Sequence, residues 1–298
     1  MKEKYWIIHF TLALLSSVVW SGCDLINPEE PIPGYVHIPE VEVVTKAGEG
    51  SAASNLTEVW VTVQGEFVGA YPIPADIPIL AEGEVTIFVQ AGIKDNGIGS
   101  LPEIYPFFEA YETTVTLGPN TTDTIRPVFS YLDQTQFALV EGFENGSQVF
   151  RDVISGDLGQ LGLVQNEVFE GSSALRIRLD SANTLLQVAT FERYPEIVGN
   201  NSARVYLEMH YKSEIPVVFG LIGYNSGQLG GGRTEYIAGF RPSEEWNKIY
   251  FNFSLDAIEL GSDEYQVFLQ ASIPNGEDGM PELGEARVWL DNVKLLHF

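Results

Sequence analysis

From residue 35 onward the chain alternates apolar and polar side chains with a period of two, the pattern of half-buried β-strands. In the first half the pattern predicts strands over Val36–Val44, Glu58–Gln64, Val85–Ala91, Tyr111–Leu117 and Thr124–Tyr131. Turn-forming runs separate them, such as Lys94-Asp95-Asn96-Gly97 and Gly118-Pro119-Asn120. No stretch of about a dozen residues carries a capped apolar stripe of helical period. The expectation is therefore all-β: two tandem β-sandwich domains, a small one over 35–133 and a larger one over 134–298.

The same alternation sorts side chains into faces in the second half. Over Val205–Tyr211, Val205, Leu207, Met209 and Tyr211 share a core face, while Tyr206, Glu208 and His210 share the other. Over Ile249–Leu255, Ile249, Phe251, Phe253 and Leu255 point inward, and Tyr250, Asn252 and Ser254 outward. Over Tyr265–Ile273, Gln266, Phe268, Gln270 and Ser272 oppose Tyr265, Val267, Leu269 and Ala271. The outward faces are rich in aromatic and amide groups. Flat rings suit the C–H faces of sugars, and Gln or Asn side chains suit paired hydroxyls. Tyr206, His210, Tyr250, Asn252, Gln266, Phe268 and Gln270 are thus candidate glycan-binding residues. The alternative is a solvated sheet face or a protein contact. Tyr224, Arg233 and Tyr236 flank a glycine-rich stretch that reads as a rim loop. Tyr105, Phe107 and Phe108, set among prolines, read as packing.

Composition narrows the partners. Among 298 residues, 41 Asp and Glu face 16 Lys and Arg, a formal charge of −25, which disfavours nucleic acid. A hydrophobic fraction of 45% is enough to fill a core and excludes a disordered acidic tail. The single cysteine excludes an intrachain disulfide and a multi-cysteine zinc site.

That cysteine stands at position 23, after Lys2 and Lys4, the apolar run Tyr5 to Trp20, and the small residues Ser21 and Gly22. The run is short for a membrane span and reads as a signal peptide. The arrangement resembles a bacterial lipoprotein signal. The resemblance implies cleavage after residue 22, lipidation of Cys23 with palmitate-type chains, and a membrane anchor without a spanning helix. Residues 23–34 follow as an acidic, proline-rich tether. The combination is similar to Bacteroidetes-type lipoproteins, implying an outer-membrane protein, exposed at the cell surface.

Two further resemblances concern the body. Val63 to Ile93, with Gly69, a proline-rich crossing, Glu82-Gly83 and Gly92, is similar to small PEGA-type β-sandwich repeats, which implies a spacer or interaction platform. Residues 136–298 resemble galactose-binding-like jelly rolls, the fold of many carbohydrate-binding modules. The matching elements are Phe143-Glu144-Asn145-Gly146, Gly171-Ser172-Ser173-Ala174-Leu175-Arg176-Ile177, Glu245-Trp246-Asn247-Lys248-Ile249 and Val288-Trp289-Leu290-Asp291-Asn292-Val293-Lys294-Leu295. This second resemblance implies glycan as partner and a structural calcium held by Glu144 and Asp291, with Glu141 a further donor. It also implies packing roles for Trp246 and Trp289.

Catalysis has no nominated group. His37, His210 and His297 are far apart, and neither a His-Glu-x-x-His helix nor a Gly-x-Ser-x-Gly elbow occurs. The carboxylates are numerous enough for glycosidase chemistry, but no pair stands out. The reading is a non-enzymatic, lipid-anchored envelope protein that binds glycan. The alternative is an assembly lipoprotein contacting other envelope proteins.

Overall fold

A computed structural model describes residues 30–146, 148–199, 204–226 and 231–298. The signal segment, Cys23 and the tether as far as residue 29 lie outside the described residues.

The first part contains β1 (Gly34–Ile38), β2 (Glu42–Val43), β3 (Glu58–Val63), β4 (Glu66–Pro72), β5 (Ala75–Ile79), β6 (Gly83–Lys94), β7 (Pro102–Ile104), β8 (Tyr111–Leu117), β9 (Thr122–Thr124) and β10 (Val128–Phe129). Strands β4, β3, β6, β7 and β8 form a five-stranded sheet, with β7 and β8 sharing one side of β6. A three-stranded sheet β5-β1-β9 and the pair β10-β2 complete the sandwich. Alternate residues such as Val36, Ile38, Val59, Val61, Ile77, Val85, Ile87 and Phe129 fill the space between. Two expected strands are broken. Pro39 interrupts Val36–Val44 and Pro127 interrupts Thr124–Tyr131. A proline has no N–H for the ladder, so each run becomes two short strands.

The second part contains β11 (Gln136–Glu141), β12 (Phe150–Ser155), β13 (Leu161–Val164), β14 (Ala174–Asp180), β15 (Leu185–Thr190), β16 (Tyr194–Pro195), β17 (Val205–Ser213), β18 (Val217–Tyr224), β19 (Arg233–Phe240), β20 (Ser243–Asn252), β21 (Glu264–Ser272) and β22 (Glu285–His297). They form a jelly-roll sandwich of two six-stranded sheets. The first runs β13-β14-β22-β17-β20, with β11 added to β22; the second runs β12-β15-β21-β18-β19, with β16 added to β21. Val205, Leu207, Met209, Phe219, Phe251, Leu269 and Val288 fill the space between them.

A short helix, α1 (Ser254–Leu260), corrects the expected inward position of Leu255. The strand ends at Asn252, whose Oδ1 accepts the Ser254 N–H at 3.1 Å. The change from period two to helical period buries Ala257 and Leu260 and leaves Leu255 74% exposed. Gly261, at φ 55°, closes the helix by donating its N–H to the Ala257 carbonyl.

The first part docks on the outer face of the first sheet. Tyr105 and Phe107 meet Tyr206 nearly edge-on, with centroids at 5.8 and 5.6 Å. Tyr131, Tyr250 and Leu296 belong to the same buried cluster. The turn after β6 also adds itself to the edge of β20. Asp95 bridges to Tyr250, and Asn96 N–H donates to the Tyr250 carbonyl at 2.9 Å.

Candidate functional site

The outer face of the second sheet is built by a register that spans four strands. Ala189 on β15 pairs Phe268 on β21; Phe268 pairs Gly220 on β18; Gly220 pairs Tyr236 on β19. Gly220 has no side chain to stand between the two rings. A Cβ there would come within 1.9 Å of the Glu235 carbonyl oxygen, so the position requires glycine. Tyr236 therefore leans over it and meets Phe268 edge-on, with centroids 5.0 Å apart.

Next to this row, Gln187 and Gln270 are register partners. Gln187 Nε2 donates to Gln270 Oε1 at 2.7 Å and to the Tyr236 hydroxyl at 3.0 Å, and that hydroxyl donates to Gln270 Oε1 at 3.3 Å. The triangle holds both amides in fixed orientations. Gln187 Oε1 and Gln270 Nε2 take no partner among the described residues, which leaves one acceptor and one donor toward solvent. The Tyr236 side chain remains 49% exposed beside them. The arrangement offers a ring face and an amide fork, with no charged group in the triangle.

One end of the face is closed by a saturated network. Gln266 accepts from the Tyr224 hydroxyl and donates to Asp152 Oδ2 at 3.1 Å and to the Thr190 carbonyl. Arg193 lies over the Tyr224 ring at 3.6 Å, and desolvation raises the Tyr224 phenol despite that cation. Gln266 and Phe268 are themselves 2% and 1% exposed, so they support the face and do not line it.

The seven expected ligand residues thus divide between two opposite surfaces. Gln266, Phe268 and Gln270 come together on the second sheet. Tyr206, Tyr250 and Asn252 sit on β17 and β20 of the first sheet under the docked first part, while His210, also on β17, lies under Phe169 of the jelly roll itself. Their outward direction agrees with the alternation; their availability to a ligand is corrected. Tyr206 and Tyr250 are each 2% exposed, and Asn252 Nδ2 donates to Asp95 Oδ2 at 3.2 Å. His210 stacks on Phe169 at 3.8 Å, and desolvation, aided by Lys248, lowers it to about 3. Sequence reading missed Gln187, although Leu186, Gln187 and Val188 alternate. It put Tyr236 in a rim loop, whereas Tyr236 stands within β19; residues 227–230 of that stretch lie outside the described residues.

Tyr105, Phe107 and Phe108 pack as expected, though between the two parts. Trp289 is buried on the outer face of the first sheet, where Lys212 lies 5.7 Å from its ring, and Trp246 is half-buried beside Phe169.

Glu144 and Asp291 do not fit the expected calcium site. Glu144 accepts from Ser172 N, Ser173 N and the Ser172 hydroxyl. Asp291 accepts from Phe169 N, Glu170 N and Asn292 N, at 2.8–3.2 Å. Glu141 accepts from Phe143 N at 2.7 Å. N–H and O–H groups hold both oxygens of Glu144 and Asp291 and one of Glu141, where a cation would need them free. Among the described residues no group of three or more His, Cys, Asp or Glu could hold a metal. Burial, with help from the charge of Glu144, pushes Asp291 up to about 6.

No family model matches the chain, and no curated protein matches it. Among solved structures it is similar to a family 30 carbohydrate-binding module at 11% identity and TM-score 0.40, covering 55% of this chain and 87% of that one. It is also similar to the tandem CBM22-1–CBM22-2 of Paenibacillus barcinonensis Xyn10C (12% identity, TM-score 0.39, 88% of this chain and 76% of that one). A carbohydrate-binding module of the β-sandwich superfamily gives 13% identity and TM-score 0.38, over 90% of this chain and 99% of that one. The jelly-roll assignment stands on the two sheets themselves.

Proposed function

We propose that this chain is a non-catalytic envelope lipoprotein that binds a neutral glycan on the outer face of its second sheet. The observation that carries the reading is the triangle of Gln187, Gln270 and Tyr236: a preset amide donor and acceptor beside a half-exposed ring. Pairs of sugar hydroxyls take up such a fork while the pyranose C–H face lies on the ring. The solved modules similar to this chain are carbohydrate-binding; the proposal rests on the chemistry of this face. Lipidation at Cys23, a Bacteroidetes-type outer-membrane location and the PEGA-like nature of the first part rest on the sequence features alone.

A glycan array probed with the full chain tests the reading. Tyr236→Ala and Gln270→Ala each weaken binding at least about tenfold, whereas Tyr206→Phe leaves it unchanged. Wild-type affinity in both face variants would falsify the site.

The assembly alternative has one observation in its favour. Strand β4 is the edge of its sheet and carries Phe67 at 59% exposure. Absence of glycan binding, together with stoichiometric co-purification of an envelope protein lost on Phe67→Glu, selects that reading.

A further inference from the structure

A cleft of about 830 Å³ opens where the turn after β6 meets the edge of the jelly roll. This is within the size range of small-ligand clefts, roughly 300–1,000 Å³. Its walls are held together across the two parts. Asn55 Nδ2 donates to Asn247 Oδ1 at 3.0 Å, and Asn252 N–H donates to Asn96 Oδ1 at 2.9 Å. Gly97, at φ 70°, sits so close to Ile249 that an added Cβ would come within 2.9 Å of its side chain.

The lining is the opposite of the chain as a whole. Against 41 acidic and 16 basic residues overall, the cleft is lined by Lys94, Arg241 and Lys248 and by no Asp or Glu. Lys248 is occupied by Glu208 at 2.6 Å. Lys94 and Arg241 are exposed, come from the two different parts, and form no ion pair among the described residues. The carboxylate that feels Lys94 is Glu58, outside the lining; burial raises its carboxyl, and the Lys94 charge acts against that rise. The lining also includes the Asn55 and Asn247 amides and Thr57, whose hydroxyl is buried without a hydrogen-bond partner. Ile98 and Ile237 supply an apolar flank.

We infer that this cleft binds an anionic oligosaccharide, its carboxylate or sulfate groups held by Lys94 and Arg241 and its hydroxyls by the Asn55 and Asn247 amides. Guanidinium and ammonium groups select the charge. The amides and apolar flank select a polyhydroxylated ring over a bare inorganic anion. The site shares no residue with the Gln187–Gln270–Tyr236 face and does not depend on that reading.

Titration calorimetry on the full chain tests it with three probes: trigalacturonate, a chondroitin sulfate tetrasaccharide, and neutral galactotriose. At least one anionic probe binds, and comparison of the two separates carboxylate from sulfate recognition. Lys94→Glu and Arg241→Glu each weaken that binding at least about tenfold, and raising the salt weakens it for the wild type. Arg126→Glu, a charge reversal outside the cleft, leaves it unchanged. Should a reversal unfold the protein, Lys94→Gln and Arg241→Gln replace it, with affinity still falling. Failure of both anionic probes, anionic binding indifferent to salt, or wild-type affinity in the cleft variants overturns the proposal.

Discussion

The hydroxyl of Tyr131 donates to Glu208 Oε1 at 3.2 Å, joining the first part of the chain to the middle of the jelly roll's first sheet. The contact is one link in a buried chain: Lys294 Nζ donates to the Tyr131 oxygen at 3.1 Å, and Tyr105 also donates to Glu208. Lys248 pairs with the same carboxylate at 2.6 Å. Both ammonium groups also reach the first part, Lys294 to the Ser51 carbonyl at 2.7 Å and Lys248 to the Ala53 carbonyl at 2.9 Å. Burial opposes the Glu208 charge, but Lys248 and Lys294 outweigh it and hold the carboxyl at about 2. Charged groups so placed are tolerated only while each keeps its partners.

Glu208→Gln therefore strands two buried ammonium groups. The variant loses about 3–5 kcal/mol of stability, read from the urea midpoint, and the loss shrinks when Lys248→Met is added. Equal loss in the single and double variants contradicts the charge account.

A fragment of residues 134–298 exposes Tyr206, Tyr250 and Leu296, which the full chain buries. It binds a hydrophobic dye and associates in solution, while the full chain does neither. Light scattering and dye fluorescence decide; a monomeric, dye-silent fragment shows that the docking is dispensable.

His210 makes stability pH-dependent with a definite sign. Its folded value, about 3, lies below the unfolded 6.5. Below the unfolded value the unfolded chain binds a proton that the folded one refuses. This contribution is complete above about pH 6.5 and is lost as pH falls toward about 3. Glu208 adds loss of the same sign from 4.5 down to about 2, and Asp291, raised from 3.8 to about 6, acts oppositely in its own range. Relative to wild type, His210→Gln recovers about 2 kcal/mol between about pH 8 and about pH 5. Parallel pH–stability curves for the two proteins refute the assignment.

Cys23→Ser tests the proposed acyl attachment. The variant moves from the membrane fraction to the soluble fraction and loses incorporation of labelled palmitate. Retention of the variant in membranes refutes lipidation as the anchor.

The sequence by itself determined the all-β class and much of the inward patterning, because side chains in a strand alternate whatever the strand later pairs with. Tyr111–Leu117 became β8, and Val205, Leu207, Met209 and Tyr211 all face the core as their spacing required. Pro39 and Pro127 each divide an alternating run into two short strands, an effect that alternation alone does not register. What alternation could not decide is which outward faces remain open, since it is blind to the other sheet and to the neighbouring sandwich. Tyr206 and Gln270 look alike in sequence, both outward and polar-tipped. Tertiary packing puts one beneath Tyr105 and Phe107 and leaves the other beside a half-exposed tyrosine. The pairing of Gln187 with Gln270, the passage of Tyr236 over Gly220, and the placing of Lys94 and Arg241 on one cleft join segments far apart in the chain. Only sheet register and domain docking bring them within reach.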